Sequence, residues 1–364
     1  MKTCSKLNGR TALALASIAA GLALTPAANS ADSYHQINLA SDLTGVAPFV
    51  DANLVNPWGL LSGPGDHLIV ADNHAGVVTF YRRTGQPAPL TIAVPAPGGG
   101  AAAPTDLGWN WSERSFVVGK GKHRDESLLL FVTEDGTIAG WNPKVAASAV
   151  TAVDNSGVGA IYKGMSLGGQ PHRPMLYAAN FGQGVVEIYD GKFHLVKSFT
   201  DPGLAGLGYA PFGIRNIGRH LLVTFAFKAS PEDGDETAGA GLGYVDEFDA
   251  GGVLLRRVAS QGPLNAPWGL EMAPRNFGKF SGALLVGNFG DGAINAFNPT
   301  TGAFLGQLTD AAGKVIQIDG LWGLAFGHGP AGPSLYFTAG PGDEDHGLLG
   351  VIRPDVSAAS EDRD

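Results

Sequence analysis

The sequence predicts an all-β chain folded as a six-bladed β-propeller with four strands per blade. Three observations predict it. A packet of a large side chain next to glycine returns along the chain. Each copy is followed by short apolar runs separated by turn-forming residues. No long helical pattern occurs after the first 31 residues. The chain holds 54 glycines and 23 prolines, yet 44% of it is hydrophobic. That mixture argues against disorder and suits short strands joined by tight turns.

The packet is clearest as "NPWGL" at 56–60, "APWGL" at 266–270 and "GLWGL" at 320–324. Weaker relatives are "PTDLGWN", "IYKGMSL" and "APFGIRN". Aligned on glycine, the anchors are Gly59, Gly108, Gly164, Gly213, Gly269 and Gly323, roughly 50 residues apart, the period of a propeller blade. The packet reads as strand A, the innermost of its blade. Glycine lets backbones crowd near the axis, and proline suits the first residue of a strand. The neighbouring Trp58, Phe212, Trp268 and Trp322 either wedge between adjacent blades or line a ligand pocket.

Each anchor precedes an apolar run, a polar turn and another strand-like run, as in "HLIVADNHAGVVTFY" from His67 and "ALLVGNFGDGAINAF" from Ala283. A further run such as "PLTIAV" or "LVKSFT" closes most units. The sixth unit lacks this outer strand, whereas "YHQINL" at 34–39 has no unit of its own. The N-terminal strand is therefore expected to complete the last blade and remove an open edge. The second unit carries a surplus, "WSERSFVVGKGKHRDES", read as an extra hairpin or long loop between strands A and B.

The ends read as separate segments. Residues 1–31 resemble an export signal: Lys2, Lys6 and Arg10 precede a short apolar stretch at 11–24 and a run of small residues. The propeller spans 32–354, and 355–364 form a polar tail. The expected location is secreted or periplasmic. The single cysteine, Cys4, falls in the signal, so no disulfide is expected in the propeller. The formal net charge of −9 argues against a nucleic-acid partner. No later apolar run reaches membrane-spanning length, and a monomer is expected.

In a propeller the B–C turns gather on one face. This topology nominates Asp72, Asn73, His74, Glu134, Asp135, Asn180, Phe181, Gln183, Lys228, Glu232, Asp233, Asp235, Glu236, Asn288, Phe289, Asp291 and Asp343 to His346. Ring closure would set "GDEDHG" of the sixth blade beside "ADNHAG" of the first. The ligand-binding candidates are Asp72, Asn73, Asn180, Asn288, Asp291 and Asp345. Among them Asp72, Asn180 and Asn288 are candidate ligands of a divalent cation such as Ca²⁺, because carboxylate and amide oxygens suit hard cations. His74 and His346 are the candidate proton carriers. The competing reading is that Asp, Asn and Gly serve these turns for backbone reasons alone. No zinc-type cluster, serine nucleophile elbow or phosphate-cradling loop is present.

"NLVNPWGL", "FVTEDGTIAGWNP", "VDNSGVGAIYKGMSL", "LYAANFGQGVVEIYD" and "APFGI" together resemble an uncharacterised family of exported bacterial propellers with NHL-like repeats, some of which carry a PEP-CTERM tail. The likeness covers nearly the whole chain after the signal. The end "VSAASEDRD" lacks the sorting motif. The resemblance implies a fold and export, with no established reaction. At the level of fold alone the chain is similar to gluconolactonase, strictosidine-synthase and virginiamycin-lyase propellers, whose metal motifs find no residue-by-residue match here.

The functional expectation is a protein that binds a small molecule, a saccharide or an envelope protein on its B–C face. The alternative is a metal-dependent hydrolase, lactonase or lyase with its site at the channel mouth.

Overall fold

A computed structural model describes residues 32–355 except 64, 66, 330 and 331. The expected signal and all of the tail beyond Asp355 lie outside the described residues. Six sheets are arranged as the blades of a propeller, each antiparallel in its A–D strands. Blade one is Pro57–Ser62, His67–Asp72, Val77–Arg82 and Pro87–Ala93. Blade two is Pro104–Trp109, Leu129–Thr133, Thr137–Trp141 and Val150–Asp154. Blade three is Tyr162–Gln170, Arg173–Asn180, Val185–Asp190 and Leu195–Phe199. Blade four is Tyr209–Ile217, His220–Phe227, Gly243–Phe248 and Leu254–Ser260. Blade five is Pro267–Met272, Leu284–Asn288, Ile294–Phe297 and Phe304–Gln307.

Blade six takes Leu321–Gly329, Gly332–Ala339 and Leu348–Pro354 from the end of the chain and Tyr34–Ser41 from its start. Tyr34 pairs with Pro354 and Ser41 with Leu348, so the expected closure is present. A short fifth strand, Phe49–Val50, runs parallel to the end of Tyr34–Ser41 and pairs with Ala40 and Ser41 on its outer edge. Tyr34 also locks the closure sideways. Its hydroxyl donates to the carbonyl of Phe277 and accepts from the amide of Phe280, both at 3.0 Å. The surplus of blade two is a hairpin, Val117–Lys120 with His123–Glu126.

The B strands are apolar on consecutive residues because each blade is buried on both faces. Successive strand residues point to opposite faces. Leu68 and Val70 pack towards blade six, and Ile69 and Ala71 towards blade two. Likewise Leu284 and Val286 face blade four while Leu285 faces blade six. Among the described residues, six buried clusters fill the gaps between neighbouring blades. A seventh lies on the axis.

The packet sits at a register break in strand A. In blade five Pro267 pairs with Asn288 and Gly269 with Gly287, leaving Trp268 without a partner. A bulge of this kind re-aims the unpaired side chain, here towards the axis. Beside it the glycine meets the next blade. A Cβ on Gly59, Gly164, Gly213, Gly269 or Gly323 would come within 3.0 Å of the carbonyl oxygen of Thr105, Phe212, Trp268, Trp322 or Trp58 respectively. Each glycine is needed because the neighbouring backbone occupies the place of its side chain.

Blade two departs from the glycine alignment. Its unpaired residue is Thr105, and the residue beside Gly59 is Asp106. The equivalent of the other anchors is therefore Asp106, and Gly108 lies two residues further along the strand. A one-letter match misled because the "GW" of "PTDLGWN" imitates the packet in the wrong phase.

Candidate functional site

The axial positions of the six A strands are Trp58, Thr105, Lys163, Phe212, Trp268 and Trp322. The aromatic members do not wedge between blades. They converge on the axis and plug it. Trp322 stacks on Trp58 at 3.6 Å between ring centroids and on Phe289 at 4.2 Å. Trp268 and Phe212 meet Trp322 edge-on. The indole of Trp322 donates to Oδ1 of Asn56, and that of Trp268 donates to the carbonyl of Lys163.

Above this plug, on the B–C face, lies a cavity of about 420 Å³. It is lined by Trp58 and His74 of blade one, Glu134 of blade two and Lys163 of blade three. Blade four adds Asp235 and Glu236, blade five Phe289, and blade six Asp343 and Glu344. Lys163 is the centre of its charge. Its side chain is 1% exposed. Nζ lies 2.7 Å from Glu134, 2.9 Å from Asp235 and 3.6 Å from Glu236. It also sits 4.9 Å above the ring of Trp58, a cation–π arrangement. Burial works against the ammonium, but Glu236, Glu134 and Asp235 outweigh it, so Lys163 titrates well above the ordinary lysine range.

The carboxylates are held from several blades. Glu134 accepts from Nδ2 of Asn73 at 2.8 Å, and Glu344 accepts from Nδ2 of Asn56 at 3.2 Å. Burial pushes the Glu236 carboxyl upward, against the pull of Lys163. Burial, and then the charge of Glu236, pushes Glu344 up to about 7. Asp343 and Glu344 have φ of 53° and 68°, a left-handed pair outside glycine. Such strain costs of order 1–3 kcal/mol per residue and clusters at functional sites. A second cation, Lys228, donates to the carbonyls of Phe181, Gly182 and Pro231 and lies over Phe181.

The sequence-nominated residues divide sharply. His74 lines the cavity, and Asn73 holds Glu134 from beside it. His74 thus shares the mouth with Asp343 and Glu344, as the juxtaposition of blades six and one requires. Asp72, Asn180 and Asn288 do not line it. Each is fully buried at the end of its B strand. Burial raises the Asp72 carboxyl well above the ordinary range, against the hydrogen bond that it accepts from Thr79. Asn180 donates to Glu187 and accepts from Ile161. Asn288 donates to the carbonyl of Pro263 and to Asp291, so Asp291 serves that turn. His346 is tied to Asp42 at 2.9 Å, and Asp345 is exposed beside it.

A divalent cation does not fit these donors. Asp72, Asn180 and Asn288 are committed to separate blades. The carboxylates that do converge, Glu134, Asp235 and Glu236, already surround the Lys163 ammonium. Among the described residues no group of three or more His, Cys, Asp and Glu is arranged to hold a metal ion. Lys163 itself went unnoticed in the sequence. Its signal was present: in "IYKGMSL" a lysine takes the place that tryptophan or phenylalanine fills in four other packets.

No protein-family model matches the chain. It is similar to solved β-propellers. For a streptogramin B lyase the TM-score is 0.53 at 11% identity, covering 90% of this chain and 100% of that one. For a catalytically inactive virginiamycin B lyase from Staphylococcus aureus with quinupristin it is 0.52 at 12% identity, covering 88% and 99%. For a chain of a nidogen/laminin complex it is 0.50 at 15% identity, covering 76% and 86%. Likenesses this remote in sequence carry the fold alone. Similarity in sequence is closer to proteins of Acanthamoeba polyphaga mimivirus. Uncharacterized protein R648 is 32% identical over 327 residues, covering 87% of this chain and 79% of R648. Uncharacterized protein L690 is 30% identical over 327 residues, covering 87% and 85%. At that identity over most of both lengths, this chain belongs to the same family as the uncharacterized mimivirus proteins R648 and L690.

Proposed function

We propose that this protein is a binding propeller whose small-molecule ligand seats in the B–C mouth of the plugged channel. One observation carries the reading: all six blades contribute a side chain to a single cavity of about 420 Å³. Ligand sites of propellers and other rigid scaffolds are concave, of roughly 300–1,000 Å³, with an apolar floor and a few convergent polar groups. Here Trp58 and Phe289 supply the floor, and the loops of blades two, four and six supply the polar rim.

The test is a thermal-shift screen of soluble metabolites against the wild type and Phe289→Ala. Ligands that raise the wild-type midpoint but not that of the variant support the mouth as the site. If every hit stabilises both proteins equally, the ligand binds elsewhere and the reading falls.

A second reading, a hydrolase, lactonase or lyase acting without a metal at this site, has one observation in its favour. The Glu344 carboxyl, at about 7, is matched to proton transfer near neutral pH, and His74 borders the same cavity. Retention of ligand binding with loss of turnover in Glu344→Gln would support it. We further propose export, resting on the pattern of residues 1–31. An intact mass of the cell-free protein that still includes those residues would overturn that proposal.

A further inference from the structure

We propose that the ligand of this mouth is a small organic cation, an ammonium or guanidinium group carried on an apolar body. The inference rests on the binding reading above and deepens it. It begins with the balance of charge. The lining residues include five carboxylates, Glu134, Asp235, Glu236, Asp343 and Glu344, against the one ammonium of Lys163. That ammonium is spent, being placed among Glu134, Asp235 and Glu236. It offers an incoming anion little, because its attraction is already answered by three carboxylates. Lys228, the other nearby cation, donates to three backbone carbonyls.

The second observation is a buried acceptor left open. Glu236 borders the cavity with its side chain 5% exposed. Its Oε2 has Lys163 as an ion-pair neighbour at 3.6 Å yet accepts no hydrogen bond. A buried carboxylate oxygen without a donor costs free energy. An N–H of a bound cation is the donor that this position lacks.

The third is the floor. Phe289 borders the cavity with one face stacked on Trp322. An aromatic ring attracts a cation through its quadrupole, more strongly when water is excluded. An apolar body adds area burial against the same ring. Asp343 and Glu344, on the rim, supply the excess negative charge that Lys163 does not meet.

Isothermal titration calorimetry with three probes of one shape tests the inference: benzylammonium, benzyl alcohol and benzoate. At pH 8 benzylammonium is expected to bind at least tenfold more tightly than the other two. Glu344→Gln and Asp343→Asn should each weaken it about fivefold or more, without lowering the thermal midpoint. Lowering the pH to 5 should weaken it in the wild type, and much less in Glu344→Gln. If benzyl alcohol or benzoate binds as tightly as benzylammonium, and Phe289→Ala abolishes that binding, the cation inference is overturned while the mouth remains the site. If no probe binds and the metabolite screen yields only neutral or anionic hits sensitive to Phe289→Ala, the inference is again overturned on its own. If neither experiment yields a ligand sensitive to Phe289→Ala, both readings fall together.

Discussion

The ammonium of Lys163 lies 2.7 Å from Oε1 of Glu134, joining the A strand of blade three to the B–C turn of blade two beneath the channel mouth. Lys163 stands where other blades place tryptophan or phenylalanine. The pair therefore sits inside an aromatic plug, with Asp235 and Glu236 brought over from blade four. Removing one partner of a buried ion pair leaves the others uncompensated, at a cost of about 3–5 kcal/mol. Lys163→Met is expected to lose stability on that scale in urea unfolding. Adding Glu236→Gln to Lys163→Met should recover part of the loss. Equal stabilities of the single and double variants would contradict the arrangement.

The pH dependence has a defined sign. Glu344 binds its proton more tightly in the folded protein, at about 7 against the ordinary 4.5. This contribution to stability is complete below about pH 4.5 and is lost as the pH rises through 7. Glu344→Gln should thus be more stable than the wild type by about 1–2 kcal/mol at pH 8, after allowance for partial solvent screening. The two proteins should converge at pH 4. A difference independent of pH would show that Glu344 does not carry the shift.

The axial glycines make a sharper steric prediction. Gly213→Ala drives a Cβ into the carbonyl oxygen of Trp268, and Gly323→Ala does the same against Trp58. Overpacking of this kind costs about 1–3 kcal/mol or more. Gly157→Ala is the control, since its added Cβ meets nothing within 4 Å. Its effect should stay within about 0.5 kcal/mol. Thermal midpoints of the three variants would rank them directly.

Ring closure depends on one hydroxyl more than its position near the N-terminus suggests. Tyr34→Phe retains the ring contacts with Phe277 and Phe280 but deprives a buried carbonyl and a buried amide of their partner. The expected cost is about 1–3 kcal/mol. Tyr34→Ala also loses the ring and should cost about 3–5 kcal/mol. A Tyr34→Phe variant as stable as the wild type would mean that these groups find other partners.

The architecture was legible because its signals are local. Turn residues and paired-strand runs recur in each unit, an axial glycine recurs in five of the six, and an unclaimed strand at the start matched a missing strand at the end. The site was legible only in part. The B–C turns were expected on one face, with those of blades six and one side by side, and His74, Glu134, Asp235, Glu236, Asp343 and Glu344 from that face line one cavity. Asp72, Asn180 and Asn288 end their strands inside the blades, and the residues that follow them, Asn73, Phe181 and Phe289, were expected on the same face. Where Asp72 ends its strand inside the blade, Asn73 follows it and meets Glu134 at the mouth. Asn180 and Asn288 likewise precede Phe181 and Phe289, which join the axial aromatics.

By itself, then, the sequence determined the number of blades, the order of strands and the way the circle closes, since those follow from spacing and turn chemistry along the chain. Only the tertiary structure decided which side chains reach the axis. A single-residue step reverses the side of a strand that a residue faces, and the bulge in each packet shifts that phase again. It also decided that Lys163, Glu134 and Glu236 meet. Residues so far apart along the chain acquire a common charge balance only when six blades bring them to one point.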